Sequence, residues 1–203
     1  MRINAYKKIR PLLQSGDIVL FRGRGIISGL ILLFCSLCSR RFKRTKYSHI
    51  GMIVVDAGRV MIFESTTLFG SDGVQLNPLS ERLQTYKGKV FVRRLICERD
   101  ERFCGILSRL VSELLGRPYE KDLVELMGAA SKIAHLFNGH KSDLSSVFCS
   151  ELVSEIFKRE GFLSQSIPPN EYSPEDYDFG GKVDEELYFS DKEVRLSKIV
   201  RIK

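Results

Sequence analysis

The chain has 203 residues, 43% of them hydrophobic, with a net charge of +7 and five cysteines. That length suits one well-cored domain rather than two, and five irregularly spaced cysteines exclude a disulfide framework. The basic stretch at 1–9 has no apolar run behind it, which excludes a secretory signal and implies a reducing, cytoplasmic setting with free thiols.

In chain order, residues 2–14 read as a short amphipathic helix interrupted at Pro11, with Ile3, Tyr6, Ile9, Leu12 and Leu13 on one side. Ser15-Gly16 is a turn, and 17–22 is a strand bounded by Gly23 and Gly25. Residues 26–38 form the longest apolar run and are predicted as a helix. The run is shorter than the roughly 20 residues that span a bilayer, so it fits a buried helix or a membrane-surface segment. Cys35 and Cys38 have CxxC spacing, but no second pair completes a zinc site. They read as buried helix thiols, and no metal or cofactor is expected. A basic loop follows, with Arg40, Arg41, Lys43, Arg44 and Lys46. Next to an apolar segment it suits an anionic membrane surface. Aromatic residues are sparse within it, which argues against a nucleic-acid partner.

Residues 50–55 are apolar and rich in β-branched side chains, Asp56-Ala57-Gly58-Arg59 is a hairpin turn, and 60–64 returns. That turn sets the register. Val55 faces Val60, so Gly51 faces Glu64 and His49 faces Thr66. His49 and Glu64 then lie diagonally on one sheet face, about 7–8 Å apart at the backbone and bridgeable by their side chains. Gly51 is expected to leave open space beside the imidazole.

Further on, 70–78 reads as a loop, 79–83 as a helical turn and 90–96 as a strand. A helix over 100–115 is closed by Gly116 and Pro118, and a second is predicted over 119–136 before a polar loop at 137–146. The helix after Cys149 ends near Gly161 and carries Leu152, Val153, Ile156 and Phe157 as an apolar stripe. Residues 168–174 form an extended loop, the acidic 175–186 a surface segment, and 193–202 a closing strand.

Cys149 stands where the polar loop gives way to its helix. There a thiolate is stabilised by the helix dipole and by unpaired N–H groups. The same position also suits a cysteine packed as a small hydrophobe. A nucleophilic thiol needs a base and a group that orients the base. Of the three histidines, His135 lies on the apolar side of its predicted helix and His140 in a solvated loop. His49, with an acid beside it, is the base candidate.

Three segments now fall into a pattern: Tyr47-Ser48-His49-Ile50-Gly51, then Phe63-Glu64, then Phe148-Cys149-Ser150-Glu151-Leu152-Val153. They resemble the permuted branch of the NlpC-type papain-like cysteine peptidases, which includes YiiX-like proteins and relatives of lecithin:retinol acyltransferase. Ordinary papain-like enzymes place the cysteine helix before the histidine strand; the permuted order is histidine, polar residue, cysteine, as here. Gly16-Asp17-Ile18-Val19-Leu20-Phe21, Asp72-Gly73-Val74, Gly116-Arg117-Pro118-Tyr119 and Tyr172-Ser173-Pro174-Glu175-Asp176 resemble supporting pieces of that branch. The resemblance thus spans residues 15–177.

It implies an α+β fold, a circularly permuted papain-like domain over 1–203, with helices packed on one side of an antiparallel β-sheet. It further implies Cys149 as nucleophile, His49 as general base and acid, Glu64 as orienter, and a thioester acyl-enzyme. Tyr47 shares the His49 face by strand parity. It either helps hold an oxyanion, together with the Cys149 backbone N–H, or packs as an aromatic. Chemistry within the branch ranges from peptide cleavage to lipid acyl transfer, so the expected substrate is a peptide, amide or acyl-lipid. Two other readings stand beside the peptidase or amidase. One is a lipid or acyl-protein thioesterase or acyltransferase at a membrane surface; the other is a non-catalytic membrane-binding module with an inert Cys149.

Overall fold

The computed structural model describes residues 3–23, 46–66, 73–118, 149–188 and 193–203. The predicted helices at 26–38 and 119–136, the basic residues Arg40, Arg41, Lys43 and Arg44, and His135 and His140 lie outside them.

Eight strands are described: β1 (Ile18–Arg22), β2 (His49–Asp56), β3 (Arg59–Thr66), β4 (Gly73–Pro78), β5 (Lys89–Arg93), β6 (Leu95–Ile96), β7 (Arg195–Leu196) and β8 (Val200–Arg201). Five helices accompany them: α1 (Ile3–Ile9), α2 (Leu79–Thr85), α3 (Glu101–Leu114), α4 (Cys149–Arg159) and α5 (Lys182–Tyr188). The main sheet has the order β4-β3-β2-β1-β5-β8 and is antiparallel throughout; β6 and β7 form a separate ribbon. The α+β expectation, an antiparallel sheet with helices on it, holds.

Helices cover both faces rather than one. Ile18, Leu20, Ile50, Met52 and Phe63 share a core with α3, α4 and α5. Val19, Phe21, Ile53, Ile62, Val90 and Val92 face a smaller core closed by α2 and by Tyr6, Ile9 and Leu13 at the N-terminus. The cause is in the strands themselves. Residues 18–21 are apolar without interruption, so neither side of β1 can face water. On α4, Leu152, Val153, Ile156 and Phe157 are all buried. Each such side chain contributes about 1.5–3 kcal/mol, which holds this helix firmly against the sheet.

Local signals explain the element ends. Ala57 (φ 45°) and Gly58 (φ 75°) both adopt the left-handed region, the backbone of a two-residue primed hairpin turn. Asp100 caps α3 by accepting the Phe103 N–H at 2.8 Å. At the end of α4, Gly161 (φ 72°) donates to Lys158 O and Phe162 donates to Phe157 O, both at 2.8 Å, a Schellman closure.

Other expectations need correction. Residues 73–78 are an edge strand, not loop, because β3 supplies partners to a segment whose own pattern is too polar to announce a strand. The strand predicted over 90–96 breaks at Arg94, whose N–H turns to Ser197 Oγ while that of Leu95 turns to Asp17 Oδ1. The 193–202 segment accordingly divides between two sheets. Within 168–177 the chain makes two 3-10 turns, Pro169–Glu171 and Pro174–Tyr177. The acidic 175–186 segment is not mere surface: Tyr177 and Val183 are fully buried, and Asp184 pairs with buried Arg93 at 2.9 Å. Among the described residues, no helix is long and apolar enough to cross a membrane.

Candidate active site

The hairpin brings His49 and Glu64 together as its register requires. Pairing runs from Asp56↔Arg59 through Val55↔Val60 to Met52↔Phe63. His49 Nε2 and Glu64 Oε2 are 2.6 Å apart. Glu64 is fully buried. Burial works against its carboxylate, but the hydrogen bond and charge of His49, followed by Arg82, hold its pKa below the usual value. An ionised carboxylate only accepts, so the Nε2–H donates to it and Nδ1 is left for another partner.

Gly51 sits opposite this pair, but the space beside it is filled rather than open. A Cβ there would meet Ile62 Cδ1 at 2.9 Å and Glu64 Cβ at 3.1 Å. The glycine permits the close approach of Glu64 instead of leaving a gap.

Cys149 arrives from the other side of the sheet. Its helix packs with Ile50 and Met52, whereas His49 and Glu64 belong by parity to the Phe21 and Ile62 face. The two sets meet where β2 and β3 part. Continuing the register beyond Met52↔Phe63 would set Ile50 against Ser65. Beyond Met52↔Phe63 the two strands are no longer matched, and the Ile50 and Ser150 N–H groups are among those that favour the Cys149 thiolate. Among the groups that favour the Cys149 thiolate, His49 contributes most.

The electrostatics follow from that arrangement. Burial opposes the thiolate, but the charge and hydrogen bond of His49, then the Ile50 and Ser150 N–H groups, hold the Cys149 thiol below its ordinary pKa. Burial also pulls the imidazole down. The charge and hydrogen bond of Cys149, then those of Glu64, outweigh it and push His49 up to about 9. Both shifts favour a thiolate beside an imidazolium.

A fourth residue, absent from the sequence reading, completes the line. Arg82 Nε donates to Glu64 Oε1 at 2.7 Å, and its side chain is 3% exposed. The guanidinium lies over the Phe21 ring (4.6 Å to the centroid) and the Tyr86 ring (5.1 Å). Phe21 in turn tilts against His49, with ring centroids 5.3 Å apart. A signal was present: Leu79, Arg82 and Leu83 fall on one helical face at i, i+3 and i+4, an arginine among core positions.

Tyr47 is buried, its ring edge-on to Phe91, and its hydroxyl donates to Asp178 Oδ1 at 3.1 Å. Asp178 also pairs with Lys46 at 2.7 Å, and the Lys46 N–H donates to Glu175 at 2.6 Å. The entry to β2 is thereby tied to the Pro174–Tyr177 turn. That turn is tied to α4 through Tyr177 Oη and Ser154 Oγ, 2.8 Å apart. Buried Arg93 donates to the carbonyls of Tyr177 and Asp178, each at 3.0 Å.

The architecture matches the crystal structure of the metalloprotein YiiX from Escherichia coli O157:H7 with a TM-score of 0.51, covering 94% of this chain and 96% of that one. In fold, this chain resembles YiiX. At 18% identity, the likeness to YiiX is one of backbone rather than sequence. It extends over nearly the full length of both chains, so it is the whole architecture and not a shared hairpin that matches YiiX. No protein-family model matches the sequence, and no curated protein matches it either.

Proposed function

We propose that this protein is a cysteine hydrolase of the peptidase or amidase type, with Cys149 as nucleophile, His49 as general acid and base, and Glu64 as orienter. The observation that carries the reading is the 2.6 Å contact of His49 with buried Glu64, together with the mutual influence of His49 and Cys149, each the strongest group favouring the other's charged form.

The thiolate attacks a carbonyl carbon, and the oxyanion forms near the Cys149 backbone N–H at the head of α4. Imidazolium Nδ1–H gives its proton to the departing amine or alcohol, leaving a thioester on Cys149. Neutral His49 then takes a proton from water, whose oxygen attacks the thioester. Collapse releases the acid and restores the thiolate and imidazolium. Throughout, Glu64 keeps the ring oriented with Nδ1 toward the sulfur.

YiiX is described as a metalloprotein. The described residues here do not fit a cation. Both Glu64 oxygens are engaged, one of them by a guanidinium, and among the described residues no three His, Cys, Asp or Glu side chains cluster as ligands. The steps above therefore run through the chain's own groups.

Iodoacetamide alkylation of Cys149 across pH tests the reading in wild type, His49→Ala and His140→Ala. Wild type and His140→Ala should alkylate with a midpoint well below the ordinary thiol value of about 8.5. His49→Ala should return to it. An ordinary midpoint in wild type, unmoved by His49→Ala, overturns the thiolate–imidazolium site and favours a non-catalytic module. A substrate panel of peptide amides and of acyl esters in vesicles then separates amidase from lipid or acyl-protein thioesterase and acyltransferase.

A further inference from the structure

The geometry points to Arg82 as a positioning residue for this site: by holding Glu64 Oε1, it fixes the carboxylate so that only Oε2 meets His49 and the imidazole presents Nδ1 to Cys149. The inference rests on the proposed function and adds a residue to it.

Arg82, Glu64, His49 and Cys149 form a line of alternating charge: guanidinium, carboxylate, imidazolium, thiolate. The Arg82–Glu64 contact is 2.7 Å and the Glu64–His49 contact 2.6 Å. Glu64 is 0% exposed, Arg82 3% and His49 15%. Charges this deep interact strongly and cannot be replaced by water when a partner is lost. Without the guanidinium, the buried carboxylate would have His49 as its one remaining cation among the contacts described. It would then take up a proton more readily or turn its second oxygen toward His49. Either change weakens support for the imidazolium, and through it for the thiolate.

The surroundings show that the guanidinium is held for direction as well as for charge. It lies over Phe21 and Tyr86, and Phe21 is itself packed on the His49 ring. One aromatic side chain thus touches both the cation and the base. A planar fork seated on ring faces keeps a fixed bearing that a lysine ammonium cannot reproduce.

The test is the pH profile of Cys149 alkylation in wild type, Arg82→Lys, Arg82→Met, Glu64→Gln and the Glu64→Gln/Arg82→Met double variant. Arg82→Met should move the midpoint up by about one pH unit, a tenfold loss of thiolate at a fixed pH below it. Arg82→Lys should move it up by less. In the double variant the midpoint should equal that of Glu64→Gln alone, since Arg82 acts only through that carboxylate. A depressed, His49-dependent midpoint in wild type that Arg82→Met and Arg82→Lys leave in place overturns the role of Arg82 and spares the proposed function. So do shifts that simply add in the double variant, the mark of a bystander in the fold. Should Arg82→Met not fold, Arg82→Lys and Glu64→Gln decide: a Lys midpoint identical to wild type overturns the inference. An ordinary midpoint in wild type removes the proposed function itself, and the role of Arg82 with it.

Discussion

Gly51 and Glu64 approach so closely across the β2–β3 hairpin that a Cβ on residue 51 would stand 3.1 Å from the Glu64 Cβ. The acid reaches His49 because its neighbour has no side chain.

Gly51→Ala should therefore damage the site through sterics rather than backbone strain, since the left-handed glycines of this chain do not include Gly51. Restricting the unfolded chain favours alanine by about 0.4–1 kcal/mol. Overpacking against Ile62 and Glu64 costs about 1–3 kcal/mol. Net destabilisation should appear as a lower urea midpoint, and displacement of Glu64 as a fall in kcat/KM of about 10–100-fold. Wild-type kinetics in Gly51→Ala would mean that the acid does not depend on this approach.

The pH dependence of turnover follows from the two perturbed groups. Under the proposed function, activity should rise with pH as the Cys149 thiol, lowered from its ordinary value, gives up its proton. It should fall again as His49, raised to about 9, loses the proton that a leaving group would need. The profile should be a bell whose alkaline limb bends near pH 9, the two limbs reporting the coupled pair rather than either residue alone. Alkylation needs no proton donor, so its rate should not fall on the alkaline side. Turnover that stays level through pH 10 would contradict His49 as the acid.

Tyr47 can be tested separately from the site. Its hydroxyl already donates to Asp178 and anchors the entry to β2. Loss of that bond in Tyr47→Phe should cost about 1–2 kcal/mol in unfolding free energy. kcat/KM should change by less than about threefold, whereas an oxyanion contact would cost about 100–1,000-fold. Kinetics and denaturant unfolding on the same preparation distinguish the two.

How much of this was open to sequence reading depends on the range over which each contact is decided. The His49–Glu64 relationship is a property of one hairpin, in which a two-residue turn sets the facing pairs from Asp56↔Arg59 to Met52↔Phe63 and with them the sheet face of His49 and Glu64 just beyond. The capped ends of α3 and α4 are equally local. The edge strand β4 was hidden because its pairing comes from β3 and not from its own residues. The acidic 175–186 segment looks like surface in sequence because the partners that hold it lie elsewhere: Arg93, far away on β5, pairs with Asp184, and Tyr177 and Val183 are fully buried.

Sequence alone thus determined which histidine has an acid beside it and which cysteine begins a helix. Only the tertiary structure decided that the two meet. That meeting requires α4 to dock on one face of the sheet while His49 belongs to the other. It requires the β2–β3 pairing to end at Met52↔Phe63, beside the residues, His49 and Ile50, that favour the Cys149 thiolate. The burial of Arg82 behind Glu64 was decided in the same way. An arginine on an amphipathic turn is ordinarily solvated, and it is kept dry here because Phe21, from a strand distant in the chain, and Tyr86, at the end of its own helix, close over it.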